Sequence, residues 1–409
     1  MNFLKKTINL KRTLLSDDNE IFFNLLKKEL PLKIHRFKSG TKCFDWEIPQ
    51  KWTAKKGLIK RMNGDIVINS KKNILHLINY STSYNKTISF NALKKHLHFD
   101  QNLPNAIPYR TSYYSKNWGI CLSYKDYLEM NDKKYNVEIE TKLSDGELIV
   151  GEAIIKGKSN KEIILSSYYC HPNQANDGLS GVALLINLYN KMRKINLNYT
   201  YRFFFWPETI GALAVLSKKL INPSNVEYAL IATTVGHGNK VFYKKTYINN
   251  HSLDNIIDDY KDIHALDFTP TGSDERQFSS NGIRIPAGVL TLTPYEKYKE
   301  YHTSKDSLNL ISLKNINKMV SIYLKVLLKY EKYEKYKLSI KAGEPFLTKY
   351  KLYRLIGSPG NTNNDLIRNW ILFYLDGSKN IKDISKLLNI NESIIKKHIA
   401  NYKSKGLIQ

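Results

Sequence analysis

The sequence predicts an α/β layered core, interrupted by a small β-rich lobe and followed by a helical C-terminal region. Three observations carry that prediction. From residue 162 onward, near-continuous apolar runs alternate with apolar patterns of helical spacing, the rhythm of strand and helix in a layered α/β domain. Between about residues 58 and 150 the pattern is different, with short alternating stretches separated by Gly, Asn and Pro. Beyond the connection GEPFLTKYKLYRLIGSPGNTNND, residues 343–365, the chain has the layout of three short helices and a terminal strand.

Taken in order, DDNEIFFNLLKKELPLKIHRF predicts a helix over 17–38 opened by an Asp cap, with Ile21, Phe22 and Leu25 offered to the core. GDIVINS, KTISF and VEIETKLSDGELIVGEAII read as strands of the lobe, the last containing SDGE as a hairpin signal. EIILSSYY, TYRFFFW, VEYALIAT and IPAGVLTL are the core strands, apolar enough for a sheet covered on both faces. Helices are expected at GLSGVALLINLYNKM, IGALAVLSKKL, LDNIIDDYKDI and ISLKNINKMVSIYLKVLLKYEKY. Near the C-terminus, IKDISKLLNI and ESIIKKHIANYKSKG have the layout of a helix-turn-helix pair.

A chain of 409 residues with 42% hydrophobic residues can bury two or three cores. No apolar run approaches the roughly 20 residues that span a bilayer, and the N-terminus lacks the features of a signal peptide; a cytoplasmic location is expected. Cys43, Cys121 and Cys170 are odd in number and widely spaced, so reduced thiols are expected. The formal charge of +26 is spread along the chain beside abundant Asn, Ile and Tyr, as AT-rich coding would produce. A nucleic-acid binder concentrates its charge on one face, so nucleic acid is not the expected partner, and the C-terminal segment is read as a protein contact.

Four segments place polar residues just after an apolar run: CHPNQAND (170–177), FWPETIG (205–211), GSDERQF (272–278) and EYHTSKD (300–306). In open α/β sheets ligands bind beyond the carboxyl ends of the strands. Imidazoles and carboxylates gathered there suit zinc, and a hydrolytic zinc site keeps one position open for water, whose pKa falls toward about 7.

In sequence order these segments resemble the zinc-dependent aminopeptidase family that includes bacterial leucyl aminopeptidases and glutaminyl cyclases. The residues that carry the resemblance are His171, Asn176-Asp177 with Ser180-Gly181, Glu208 with Gly211, Gly272-Ser273-Asp274 with Phe278, Ile285-Pro286-Ala287, and His302-Thr303 with Asp306. With FDWEIPQKW and IPYRTSYYSKNWGICLS upstream, the chain looks closer still to the aminopeptidase-like proteins encoded among bacterial surface-polysaccharide genes. That resemblance implies a three-layer α/β/α zinc-peptidase-like core over 1–57 and 151–340. It also implies an inserted β-rich lobe over 58–150 and a winged-helix-like domain over 341–409.

The resemblance further implies His171, Asp177 and His302 as metal ligands and Glu208 as general base, with Asp274, Glu275 and Arg276 expected to fix substrate. The family's Glu-Glu pair, aligned on Gly211, becomes Glu208 at the base position and Thr209 at a ligand position; an alignment shifted by one makes Glu208 the ligand. A further ligand aligns with Thr233, with His237 nearby as a substitute, and the usual His-x-Asp is here His171-Pro172-Asn173. One zinc per chain is therefore expected, with two left open. The expected activity is hydrolysis of a peptide or N-acyl amide; a scaffold that has lost turnover and a DNA-binding regulator are the alternatives.

Overall fold

The structure is a computed structural model and describes residues 2–353 and 363–408. Its centre is a mixed eight-stranded sheet formed by β1 (Lys33–Lys38), β2 (Glu147–Ile155), β3 (Glu162–Tyr168), β4 (Thr200–Trp206), β5 (Val226–Ile231), β6 (Val241–Lys244), β7 (Ile263–Leu266) and β8 (Ala287–Thr291). The spatial order is β1-β2-β4-β3-β5-β8-β6-β7. The middle of the sheet, β4-β3-β5-β8, is parallel, and β1 and β2 extend it antiparallel on one side. All seven residues of β4 and all five of β8 are buried, as strands covered on both faces require.

Helix α1 (Asp18–Leu26), α2 (Ser180–Met192), α3 (Ile210–Ser217) and the 313–325 part of α4 (Leu313–Glu331) belong to the same compact unit as the sheet. The chain leaves β3 through α2 to β4 on one side, then crosses through α3 to β5 on the other. That reversal of winding at β3 opens the crevice where α/β proteins bind ligands.

The helix expected over 17–38 ends at Leu26, and Lys33–Lys38 is the edge strand β1 instead. Pro31 accounts for the difference, since proline lacks the N–H a helix needs and pushes the preceding residue toward extended backbone. The short helix still docks on the core, with the Phe22 ring stacked 4.8 Å from Tyr169 and Phe23 edge-on to the same ring at 5.1 Å. Ile21 faces solvent.

The SDGE segment also departs from expectation. Lys134–Ser144 belongs to a separate four-stranded antiparallel sheet ordered Ile66–Asn69, Lys51–Lys60, Lys134–Ser144, Tyr84–Ser89, whereas Glu147–Ile155 is β2 of the central sheet. The tight turn therefore passes the chain from one sheet to the other and closes no hairpin.

The described residues divide into two compact units, residues 1–249 with 261–325, and residues 250–260 with 326–409. In the second, α5 (Asn363–Tyr374), α6 (Ile381–Leu388) and α7 (Glu392–Ser404) enclose Ile371, Leu375, Ile384, Ile395, Ile399 and Tyr402. A capping box between Asn380 and Asp383 starts α6, and Asn389 in the left-handed conformation ends it. Leu338 bridges Ile408 where a terminal strand was expected. The 354–362 part of the expected connection lies outside the described residues. No helix among the described residues is long and apolar enough to cross a membrane.

Candidate metal centre

The loop after β3 is built to turn Asp177 inward. Residues Ala175–Leu179 form an irregular turn in which Asp177 (ψ 96°) and Gly178 (φ 97°) leave helical geometry. Gly178 is required there, since left-handed backbone strains other residues and a Cβ would stand 2.8 Å from the Tyr168 carbonyl oxygen. Gly181, in the first turn of α2, lets the helix press onto the chain after β5; a Cβ there would fall 1.9 Å from the Ala232 oxygen.

The buried Asp306 carboxylate holds the turn, accepting hydrogen bonds from the backbone N–H of Ala175 (3.1 Å), Asn176 (2.6 Å) and Asp177 (3.0 Å) and from the Tyr298 hydroxyl (2.9 Å). Burial pushes Asp306 up to about 7, with the Asp177 charge adding to the rise and the backbone N–H groups opposing it.

Three side chains converge above the sheet. His171 Nδ1 lies 2.9 Å and His302 Nε2 3.0 Å from Asp177 Oδ2. One ligand atom from each of the three residues falls within a 4.8 Å span. His171 and Asp177 are buried and the His302 side chain is 30% exposed. His302 Nε2 is itself buried and faces the Asp177 carboxylate. Burial opposes charge on Asp177, and the two imidazoles outweigh it, holding the carboxyl well below its usual range; the same partnership outweighs burial at His171 and raises its pKa. The Tyr109 ring packs 5.3 Å from His171 and 5.1 Å from His302.

The other carboxylate oxygen is occupied. Tyr168 Oη donates to Asp177 Oδ1 and accepts from Thr233 Oγ1 at 2.7 Å. His237 lies outside the three-residue cluster.

Glu208 follows β4 and stands beside the cluster, with Oε2 3.5 Å from His171 Nε2 and Oε1 accepting from Ser273 Oγ at 2.6 Å. The backbone aims it there through a γ-turn of the strained, positive-φ kind centred on Thr209 (φ 66°, ψ −72°) and closed by Ile210 N–H to the Glu208 carbonyl at 2.8 Å. A β-branched residue with positive φ is unusual and needs support. The Asp274 carboxylate provides it, accepting from Thr209 N–H at 2.7 Å and Trp206 Nε1–H at 2.8 Å. Burial, then the nearby Glu208 charge, push Asp274 up to about 7.

Of the three residues expected to fix substrate, the structure leaves only one at the opening. Asp274 is buried under the Glu208 turn, and Glu275 is buried in an ion pair with Lys244 at 2.8 Å. Both carboxylates are satisfied from inside the protein, which is why they do not reach out. Arg276 alone of the three lines a cavity of about 280 Å³, together with His171, Glu208, Thr209, Trp46, Tyr113 and Tyr114. Tyr168 and Tyr109 escaped sequence reasoning, although each lies in a segment already singled out: Tyr168 in the strand before His171, Tyr109 in IPYRTSYY.

Fold and site together define an aminopeptidase-like α/β protein. The chain belongs to the family described as "Domain of unknown function (DUF4910)", which matches residues 1–333. It is 36% identical over 390 residues, 94% of this chain and 90% of the relative, to a Clostridium acetobutylicum protein named for a suggested role in polysaccharide biosynthesis and for its aminopeptidase-like domain. A crystal structure of a candidate peptidase from Clostridium acetobutylicum superposes with a TM-score of 0.79 at 33% identity, covering 100% of this chain and 95% of that one. A zinc aminopeptidase from Bacillus subtilis shares the fold at 11% identity and a TM-score of 0.56, over 80% of this chain and 94% of its own.

Proposed function

We propose that the protein is a zinc-dependent amide hydrolase with one metal held by His171, Asp177 and His302 and with Glu208 as its general base. The observation that carries this reading is the convergence of two imidazoles and a carboxylate, His171, Asp177 and His302, whose ligand atoms all lie within 4.8 Å of one another. Two imidazoles and a carboxylate are a donor set that zinc accepts. A bound zinc supplies Lewis acidity toward the amide carbonyl and toward water.

The protein's own groups do the rest. Ser273 fixes one Glu208 oxygen, so the other can take a proton from the attacking water and return it to the leaving amine. Tyr109 packs against both imidazoles and holds their rings in place. Asp306 sets the loop that presents Asp177. Aligned on Gly211, the two further ligand positions of the peptidases this chain resembles fall at Thr209 and Thr233, whose hydroxyls are engaged by Arg276 and Tyr168, and Asp177 Oδ1 is engaged by Tyr168. This supports a single metal.

Zinc titration by calorimetry tests the reading. His302→Ala should remove measurable zinc binding, while Asp306→Asn, which disturbs only the supporting hydrogen bonds, should weaken it by about 10–100-fold. Unchanged zinc affinity in His302→Ala would refute the ligand set.

A further inference from the structure

The cavity beside Glu208 is lined by the guanidinium of Arg276 and by the aromatic side chains of Trp46, Tyr113 and Tyr114. Arg276 makes a single side-chain hydrogen bond, from Nη2 to the neutral Thr209 Oγ1 at 2.8 Å, and its Nε is buried without a partner. No carboxylate pairs with it among the described residues, although Asp274 and Glu275 are its immediate chain neighbours; both are committed elsewhere. The same cavity is lined by Trp46 and Tyr114, 41% and 54% exposed and packed edge to face at 5.7 Å, and by Tyr113. Arg276 is half-buried with no carboxylate paired to it, and its planar fork matches an oxyanion.

We infer that the substrate is an acidic amide: a compound carrying a carboxylate or phosphate close to the scissile bond, seated on Arg276, with a flat group against Trp46 and Tyr114. This rests on the hydrolase reading and names the substrate class it acts on. Thr209 links the two functions, because the residue that receives the Arg276 hydrogen bond is also the centre of the turn that aims Glu208. An anion on Arg276 is thereby placed one residue away from the base.

The test is calorimetric binding to the zinc-loaded full-length protein, using N-benzoylglycine, its phosphonate analogue N-benzoylaminomethylphosphonate, and the neutral carboxamide of N-benzoylglycine. At least one anionic probe should bind about 10–100-fold more tightly than the carboxamide, the range of a charge-assisted hydrogen bond, and the tighter of the two assigns carboxylate or phosphate. Arg276→Gln should erase that preference, the anionic probes losing more affinity than the carboxamide; Arg276→Lys, which keeps the charge and loses the fork, should retain part of it. A preference that survives in Arg276→Gln would mean that the anion sits elsewhere, and equal weakening of all three probes would make Arg276 only a clamp for Thr209; either overturns the inference. If Arg276→Gln does not fold, the wild-type preference and its weakening by added salt decide, and no preference overturns it. Because the readout is binding, absent turnover would count against the hydrolase reading alone.

Discussion

Glu208→Gln is expected to lower kcat by about 10²–10⁴, read on whichever member of an aminoacyl- and N-acyl-amide panel the wild-type protein turns over, and to leave zinc content unchanged. The amide can still accept from Ser273 Oγ through Oε1, so the γ-turn and the side-chain position should persist. It cannot take a proton, which isolates the base role. The three ligand atoms gather without Glu208, which stands 3.5 Å from the outer nitrogen of His171. Zinc lost together with the carboxylate would make Glu208 a ligand and restore the shifted alignment that the sequence left open.

The second large effect concerns stability. Glu152 on β2 is 2% exposed and sits between His35 on β1 (2.7 Å) and Arg202 on β4 (2.7 Å), while Arg202 also reaches Glu162 on β3 (2.9 Å). The four residues tie together the four strands on one side of the sheet. Glu152→Gln should destabilise by about 3–5 kcal/mol, because removing one partner of a buried pair leaves Arg202 undercompensated. Burial raises the Glu152 pKa, and His35 and Arg202 outweigh it, so the net shift is downward. A carboxylate depressed on folding stabilises fully above its unfolded pKa of about 4.3 and loses that contribution as pH falls through the folded value. The gap between wild type and variant in urea denaturation should therefore be full at pH 7 and shrink in acid below about 4. A gap independent of pH would point to packing instead of charge.

The parts of the fold legible in the sequence are those with a burial signature. β3, β4, β5 and β8 are mostly apolar and almost wholly buried, as strands covered on both faces are. β1 was hidden because KIHRFK is an edge strand, mostly exposed or half-buried, and follows directly on a helical pattern. β6 and β7, four residues each, are too short to establish a period.

At the site, the ordered motifs pointed to His171, Asp177, Glu208 and His302, which the fold brings side by side. They could not tell which way Ser273-Asp274-Glu275-Arg276 faces, because a polar run reads the same whether it meets substrate or supports a strained turn. Only the hydrogen bonds from Thr209 and Trp206 to Asp274 separate the two. The Tyr168 hydroxyl on Asp177 was likewise invisible, since a tyrosine closing an apolar strand looks like core until its partner is known.

The zinc content of the purified, zinc-reconstituted and desalted protein, measured by elemental analysis against protein concentration, distinguishes a single-metal site from a paired or an absent one. With the Thr209 and Thr233 hydroxyls engaged by Arg276 and Tyr168, and Tyr168 on the second oxygen of Asp177, the expected value is one zinc per chain, lost in His302→Ala. A wild-type stoichiometry of two, or none, would contradict it.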